Sequence, residues 1–234
     1  MTAALVTLLL AVAPAPAGLP GGSALHAHLP NVLETVKVGE WVTYRFDPGD
    51  GREYFWRIAI VGEELDRLGR PAVWVELDVG NHHAMKAPIA QMKVLASRAQ
   101  GLSAQGVTRM FSAFGIDRPR EVEPSELPKV LLGEAEKKAA EVKRPREVTT
   151  RRGEPTRLMT AGGTVSAAPH EVRLGGTLLK RYWVSEAIPI LHLAKIEFPA
   201  VQHAMEARDW GLDAKAEMAT PDPAAATIRM EGAK

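Results

Sequence analysis

From Val36 onward the chain alternates apolar and polar positions with a period of two. In VKVGEWVTYRF, Val42, Tyr44 and Phe46 interleave with Trp41, Thr43 and Arg45, the pattern of a strand with one buried face. Asp47-Pro48-Gly49-Asp50-Gly51 follows. Proline fixes φ and glycine admits positive φ, so this run is a tight turn. In REYFWRIAIVG, Tyr54, Trp56, Ile58 and Ile60 share one face, and Phe55, Arg57, Ala59 and Val61 the other. The two runs pair as an antiparallel hairpin. After Leu68-Gly69-Arg70-Pro71, the run AVWVELDV sends Val73, Val75, Leu77 and Val79 to one side. A three-strand meander is the expected start of the fold.

Ile89 to Ala96 reads as a fourth strand, and Val107 to Phe114 fits strand or helix. Arg118 to Pro128, with three prolines, is a connection. Gly133 to Arg146 is highly charged and helix-leaning until Pro145. Between Glu134 and Arg152 seven basic residues face four acidic ones, which reads as a solvated excursion or a contact for an acidic partner or anionic headgroups. Strand-like runs return at Arg157–Met159, Thr164–Arg173, Leu178–Val184, Leu191–Phe198 and Gln202–Ala207. They are punctuated by Gly162-Gly163, Gly175-Gly176, Pro189 and Pro199. Many short strands with such punctuation predict a mainly β domain, as a sandwich, barrel or open curved sheet.

The first residues obey a different rule. Thr2 to Ala17 carries no charge, and its apolar run from Ala3 to Ala13 is shorter than the roughly 20 residues a membrane-spanning helix needs. It fits the core of a secretory signal, with Ala15-Pro16-Ala17 before a cut at Gly18. The expected organisation is a signal peptide over 1–17, a flexible leader over 18–35, one β-rich domain over 36–218, and a disordered tail over 219–234. A periplasmic or secreted address follows, with no transmembrane segment in the mature chain.

Composition narrows the function classes. The 234 residues hold 29 Lys+Arg against 28 Asp+Glu and no cysteine. A near-neutral balance lacks the electrostatic drive for nucleic-acid binding. Without cysteine there are no disulfides, thiol nucleophiles, iron–sulfur ligands or lipid-anchored cysteine. Seven histidines raise a metal reading, with His26 and His28 as an H-x-H pair and His82-His83 after the third strand. No H-E-x-x-H or carboxylate cluster accompanies them. His170, His192 and His203 with Ser166, Ser185, Glu171, Glu186 and Glu197 lack a G-x-S-x-G elbow. No catalytic residue, metal or cofactor is therefore expected. Five tryptophans are first of all core material. Where a curved sheet leaves one face incompletely covered, Trp41, Trp56, Ile58, Ile60, Trp74, Leu178, Trp183 and Ile190 are the candidates to line an apolar groove for an acyl chain or other apolar ligand.

A resemblance supports the same direction. Gly163, Thr164, Ala167 and Arg173 occur in AGGTVSAAPHEVR. Trp183, Val184, Ser185, Ile188, Pro189, Lys195, Ile196 and Glu197 occur in RYWVSEAIPILHLAKIEF, and Gly211 and Ala214 follow. With VGEWVTY at Val38 to Tyr44, this arrangement resembles uncharacterised exported proteins of Gram-negative bacteria. It also resembles the half-barrel of LolA/LolB-type lipoprotein carriers and RseB-like sensors. The resemblance implies a curved antiparallel sheet wrapped over a few short helices, with a concavity suited to lipid or acyl chains. It transfers no catalytic residue. The alternative is an envelope structural or protein-interaction module without a ligand, using exposed β edges and the basic excursion.

Overall fold

The structure, a computed structural model, describes residues 33–49, 51–103, 105–127, 148–219 and 221. The expected signal peptide, most of the leader, most of the charged excursion and most of the tail lie outside the described residues. Twelve strands follow in order: β1 (Trp41–Asp47), β2 (Tyr54–Leu65), β3 (Pro71–Gly80), β4 (Ala90–Ser97), β5 (Val107–Phe114), β6 (Arg120–Glu121), β7 (Val148–Arg152), β8 (Thr156–Thr160), β9 (Gly163–Leu174), β10 (Thr177–Val184), β11 (Leu193–Phe198) and β12 (His203–Gly211). The described residues are almost wholly strand, turn and loop.

All strand pairings are antiparallel, in a single curved, unclosed sheet of order β6-β5-β4-β3-β2-β1-β12-β11-β10-β9-β7, with β8 also on β9. The sheet is thus two meanders joined where β1 meets β12, from Trp41 opposite Gly211 to Asp47 opposite Ala204. The predicted hairpin of β1 and β2 forms with Tyr44 opposite Trp56, and Val107 to Phe114 is strand. Arg157–Met159 and the later runs correspond to β8 to β12. The end of the charged excursion is exposed, as a solvated stretch would be, but it is strand: Val148 to Arg152 forms β7 along β9.

Period two becomes two faces. The inner face takes Val42, Tyr44 and Phe46 from β1, Trp56 and Ile60 from β2, and Val73, Val75, Leu77 and Val79 from β3. Met92, Val94 and Met110 continue it through β4 and β5, and Tyr182, Ile196, Met205 and Ala207 through β10 to β12. These residues form one buried cluster. The hairpin of β8 and β9 curls over this side. At its tip the Gly162 amide donates to the Ala207 carbonyl (3.2 Å). A Cβ on Gly162 would sit 2.3 Å from the Arg208 carbonyl oxygen and 2.5 Å from the Trp210 ring, so only glycine permits the approach.

The outer face carries alternating charge. Glu76 opposes Lys93, Asp78 opposes Arg57, and Glu206 opposes Arg45 and Lys195. Opposite charges placed directly across strands stabilise the sheet. The chain after β12 then runs back over this face as a strap. Asp213 accepts a bond from the Trp41 indole (2.8 Å), and the Ala214 amide donates to the Gly39 carbonyl (2.9 Å). Met218 packs against Phe111 and Ala113, with Trp74 alongside.

Candidate functional site

The inner face is the candidate binding surface, and its closure is local. Between β10 and β11, the loop Ser185–His192 turns inward. Ile188 and Ile190 are 0% and 2% exposed and belong to the same core cluster as the inner-face strands. The Ser185 amide donates to the His192 carbonyl (2.8 Å) and the Ile188 amide to the Ser185 carbonyl (3.2 Å). Holding the loop this way forces Ile190 to φ 65° and His192 to φ 50°. A β-branched residue in that region is strained, at a cost of roughly 1–3 kcal/mol. Two isoleucines are thus inserted into the core by a backbone that resists the geometry.

Polar groups on this side are few. Among the described residues the buried Tyr44 hydroxyl has no hydrogen-bond partner, and burial raises its pKa. Near the β9 end, His170 stacks on Tyr182 with ring centroids 4.8 Å apart. Its pKa is lowered by burial and by the charge of Arg152. The Lys180 ammonium lies 5.6 Å from the Tyr182 ring centroid, and burial brings its pKa down to about 8. A cation is therefore held against the apolar side of the sheet.

The eight predicted lining residues divide. Trp56, Ile60 and Ile190 are in the inner core, and Ile58 and Trp183 pack against it. The other three lie apart. Trp41 sits under the strap, bonded to Asp213 with Arg57 over its ring. Trp74 stacks on Phe111 on the outer face (5.4 Å), with Lys93 and Arg109 each 5.6 Å from its centroid. Leu178 is half-buried beside a bulge in β10. Trp183 touches the inner core cluster but stands on the outer face, directly across from Lys195 and flanked by Arg181 and Lys195.

Sequence reading passed over the outer-face carboxylates, although Glu76 and Asp78 stand out inside the apolar run of β3. Glu76 is fully buried. It faces the Lys93 ammonium (3.3 Å) and accepts the strap amides of Glu217 (2.8 Å) and Met218 (3.3 Å). Asp78 accepts from Gln91 (3.0 Å) and Arg57 (3.5 Å), and Arg57 also reaches Glu217 (3.1 Å). Burial pushes the Asp78 pKa up to about 6, against the lowering effect of Gln91 and Arg57.

Among the described residues the histidines do not converge, and the His26/His28 pair lies outside them. His82 and His83 stack on each other in the β3–β4 loop (4.4 Å), and His82 Nδ1 accepts the Ala84 amide. Among the described residues no three His, Cys, Asp or Glu side chains are grouped to hold a metal. Ser185 is buried, with its hydroxyl facing the Ala187 amide (3.4 Å).

No family model matches the chain, and no curated protein matches it. Solved structures do. A proposed exported protein with YmcC-like fold from Bacteroides fragilis is 9% identical with a TM-score of 0.34, covering 75% of this chain and 97% of that one. A chain of the Pseudomonas aeruginosa MucA/MucB complex is 13% identical with a TM-score of 0.35, covering 83% of this chain and 58% of that one. A proposed lipoprotein from Parabacteroides distasonis is 9% identical with a TM-score of 0.29, covering 75% and 96%.

Proposed function

We propose that the protein is an exported, non-catalytic binding protein whose inner face takes an acyl chain or the lipid part of a lipoprotein. The observation that carries this reading is the loop Ser185–His192. It fills the apolar face with Ile188 and Ile190 while holding Ile190 and His192 at positive φ. An acyl chain that displaced the two isoleucines would cover the same apolar surface and release the strain, so exchange costs little. Lys180 beside Tyr182 supplies a cationic end for an anionic headgroup. A periplasmic or secreted address agrees with the uncharged apolar N-terminal run.

The test is uptake of a pyrene-labelled fatty acid by the purified protein and by Ile190→Gly. Glycine is at ease at φ 65° and lacks the plugging side chain. The variant should bind the probe about tenfold more tightly than the parent. If neither protein takes up the probe, the inner face is a filled core and the reading fails.

A further inference from the structure

The far end of the sheet carries a second kind of binding surface. β7 and β8 run in succession along β9, pairing first Val148–Arg152 and then Thr156–Thr160. Among the described residues no strand pairs with their outer edge. All five residues of β7 are exposed, as are Gly153 to Arg157 and Met159. An open edge of this kind presents unpaired backbone donors and acceptors in a row.

The register says which groups face outward. The Gly153 amide donates to the Pro169 carbonyl (2.8 Å), so in an antiparallel ladder Thr149 and Arg151 also turn their backbone groups toward β9. Val148, Thr150 and Arg152 turn theirs away. Pro169, which has no amide hydrogen, sits where Gly153 ends the ladder, and a Cβ on Gly153 would lie 2.9 Å from the proline ring. The edge is therefore a designed geometry rather than a frayed one.

Its charge is one-sided. Residues 148–184 hold Arg151, Arg152, Arg157, Arg173, Lys180 and Arg181 against Glu154 and Glu171, in a chain that is near neutral overall. Glu171 is already committed: one oxygen faces Arg181 (2.7 Å) and the other Arg173 (3.0 Å). These two guanidiniums hold its pKa below the usual carboxylate range. Arg151, directly across from Glu171 in the ladder, finds both its oxygens taken. Arg152 and Arg157 flank the same edge.

We infer that the β7–β8 edge binds an extended, acidic segment of a partner protein by strand addition. The outward backbone groups of Val148, Thr150 and Arg152 would supply the ladder, and Arg151, Arg152 and Arg157 would meet the partner's carboxylates. The same arginines repel a second copy of this edge, which makes an acidic partner the favoured occupant. The surface is separate from the inner face, so it stands whether or not that face takes lipid.

The experiment uses the full chain and a fluorescein-labelled octapeptide of alternating glutamate and valine, with a lysine–valine octapeptide as control. Fluorescence anisotropy should show salt-sensitive binding of the acidic peptide alone. The triple reversal Arg151→Glu, Arg152→Glu, Arg157→Glu should weaken it about tenfold or more. Thr150→Pro removes one outward amide while leaving the inward ladder to β9, and it should weaken binding comparably. Hydrogen exchange on the unaltered protein gives a readout that needs no variant to fold: the Thr150 and Arg152 amides should exchange fast alone and slowly with peptide. Absent binding overturns the inference. So do binding untouched by Thr150→Pro in a folded variant, protection of those two amides in the free chain, and a self-associated dimer that shields the edge.

Discussion

The two faces of the sheet are both buried near its centre, but by different means. The inner face is buried because the sheet curls and its apolar residues meet each other and the Ser185–His192 loop. The outer face at β3 is buried because a strap lies across charged residues. The difference lies in what each side does with polar atoms. Outside, Glu76 and Asp78 are each surrounded by partners. Inside, the Tyr44 hydroxyl has none among the described residues. A buried carboxylate such as Glu76 is held by its partners, whereas a buried phenol without one is a liability.

The largest effect that tests this contrast is at Glu76. Glu76→Ala leaves Lys93 without this carboxylate and the strap amides of Glu217 and Met218 without an acceptor. A loss of about 3–5 kcal/mol is expected in urea unfolding, with fast exchange of the Met218 amide. Glu76→Gln keeps an acceptor and should lose clearly less. Equal losses would mean that the strap is held by Met218 packing alone.

Next is a dependence on pH. The Asp78 pKa stands at about 6 in the fold against 3.8 for the ordinary group, so between these values the folded state binds more protons than the unfolded one. Its contribution is full below about 4 and is lost as pH rises through 6, up to about 3 kcal/mol in all. In Asp78→Asn that part of the stability profile should flatten when unfolding is followed from pH 4 to 7. A profile unchanged from the parent would show that Arg57 keeps the carboxylate ionised throughout.

The smallest effect belongs to the inner face. Tyr44→Phe deletes a hydroxyl with no partner and keeps the ring, so a gain of about 1 kcal/mol is expected in thermal or urea unfolding. A loss instead would mean that the hydroxyl is satisfied in solution, and the contrast between the faces would weaken.

Much of this was legible in residue order. β1 to β3 and β8 to β12 announce themselves through period two and through Gly and Pro at the turns, because one-sided burial writes itself into alternation. Parity also marks Trp41, Trp74 and Trp183, whose neighbours Val42, Val73 and Tyr182 face inward, as outward-pointing. β7 left no such mark. A strand exposed on both sides has no apolar face to encode, and VTTRR reads like the charged run before it. The strap was equally silent, since its hold on Glu76 uses backbone amides, which every residue except proline has. Nor does any local pattern announce that β1 seeks β12.

That last pairing has a kinetic consequence. Trp41 and Gly211 are partners at the middle of the sheet, so the central seam joins the first and last strands among the described residues. Contacts of such sequence separation form slowly, because a long loop must close before they give any return. A chain synthesised or threaded through a pore from its N-terminus keeps two separate meanders, each with a bare edge, until β12 emerges. Completion of the fold is thereby timed to the arrival of its last strand.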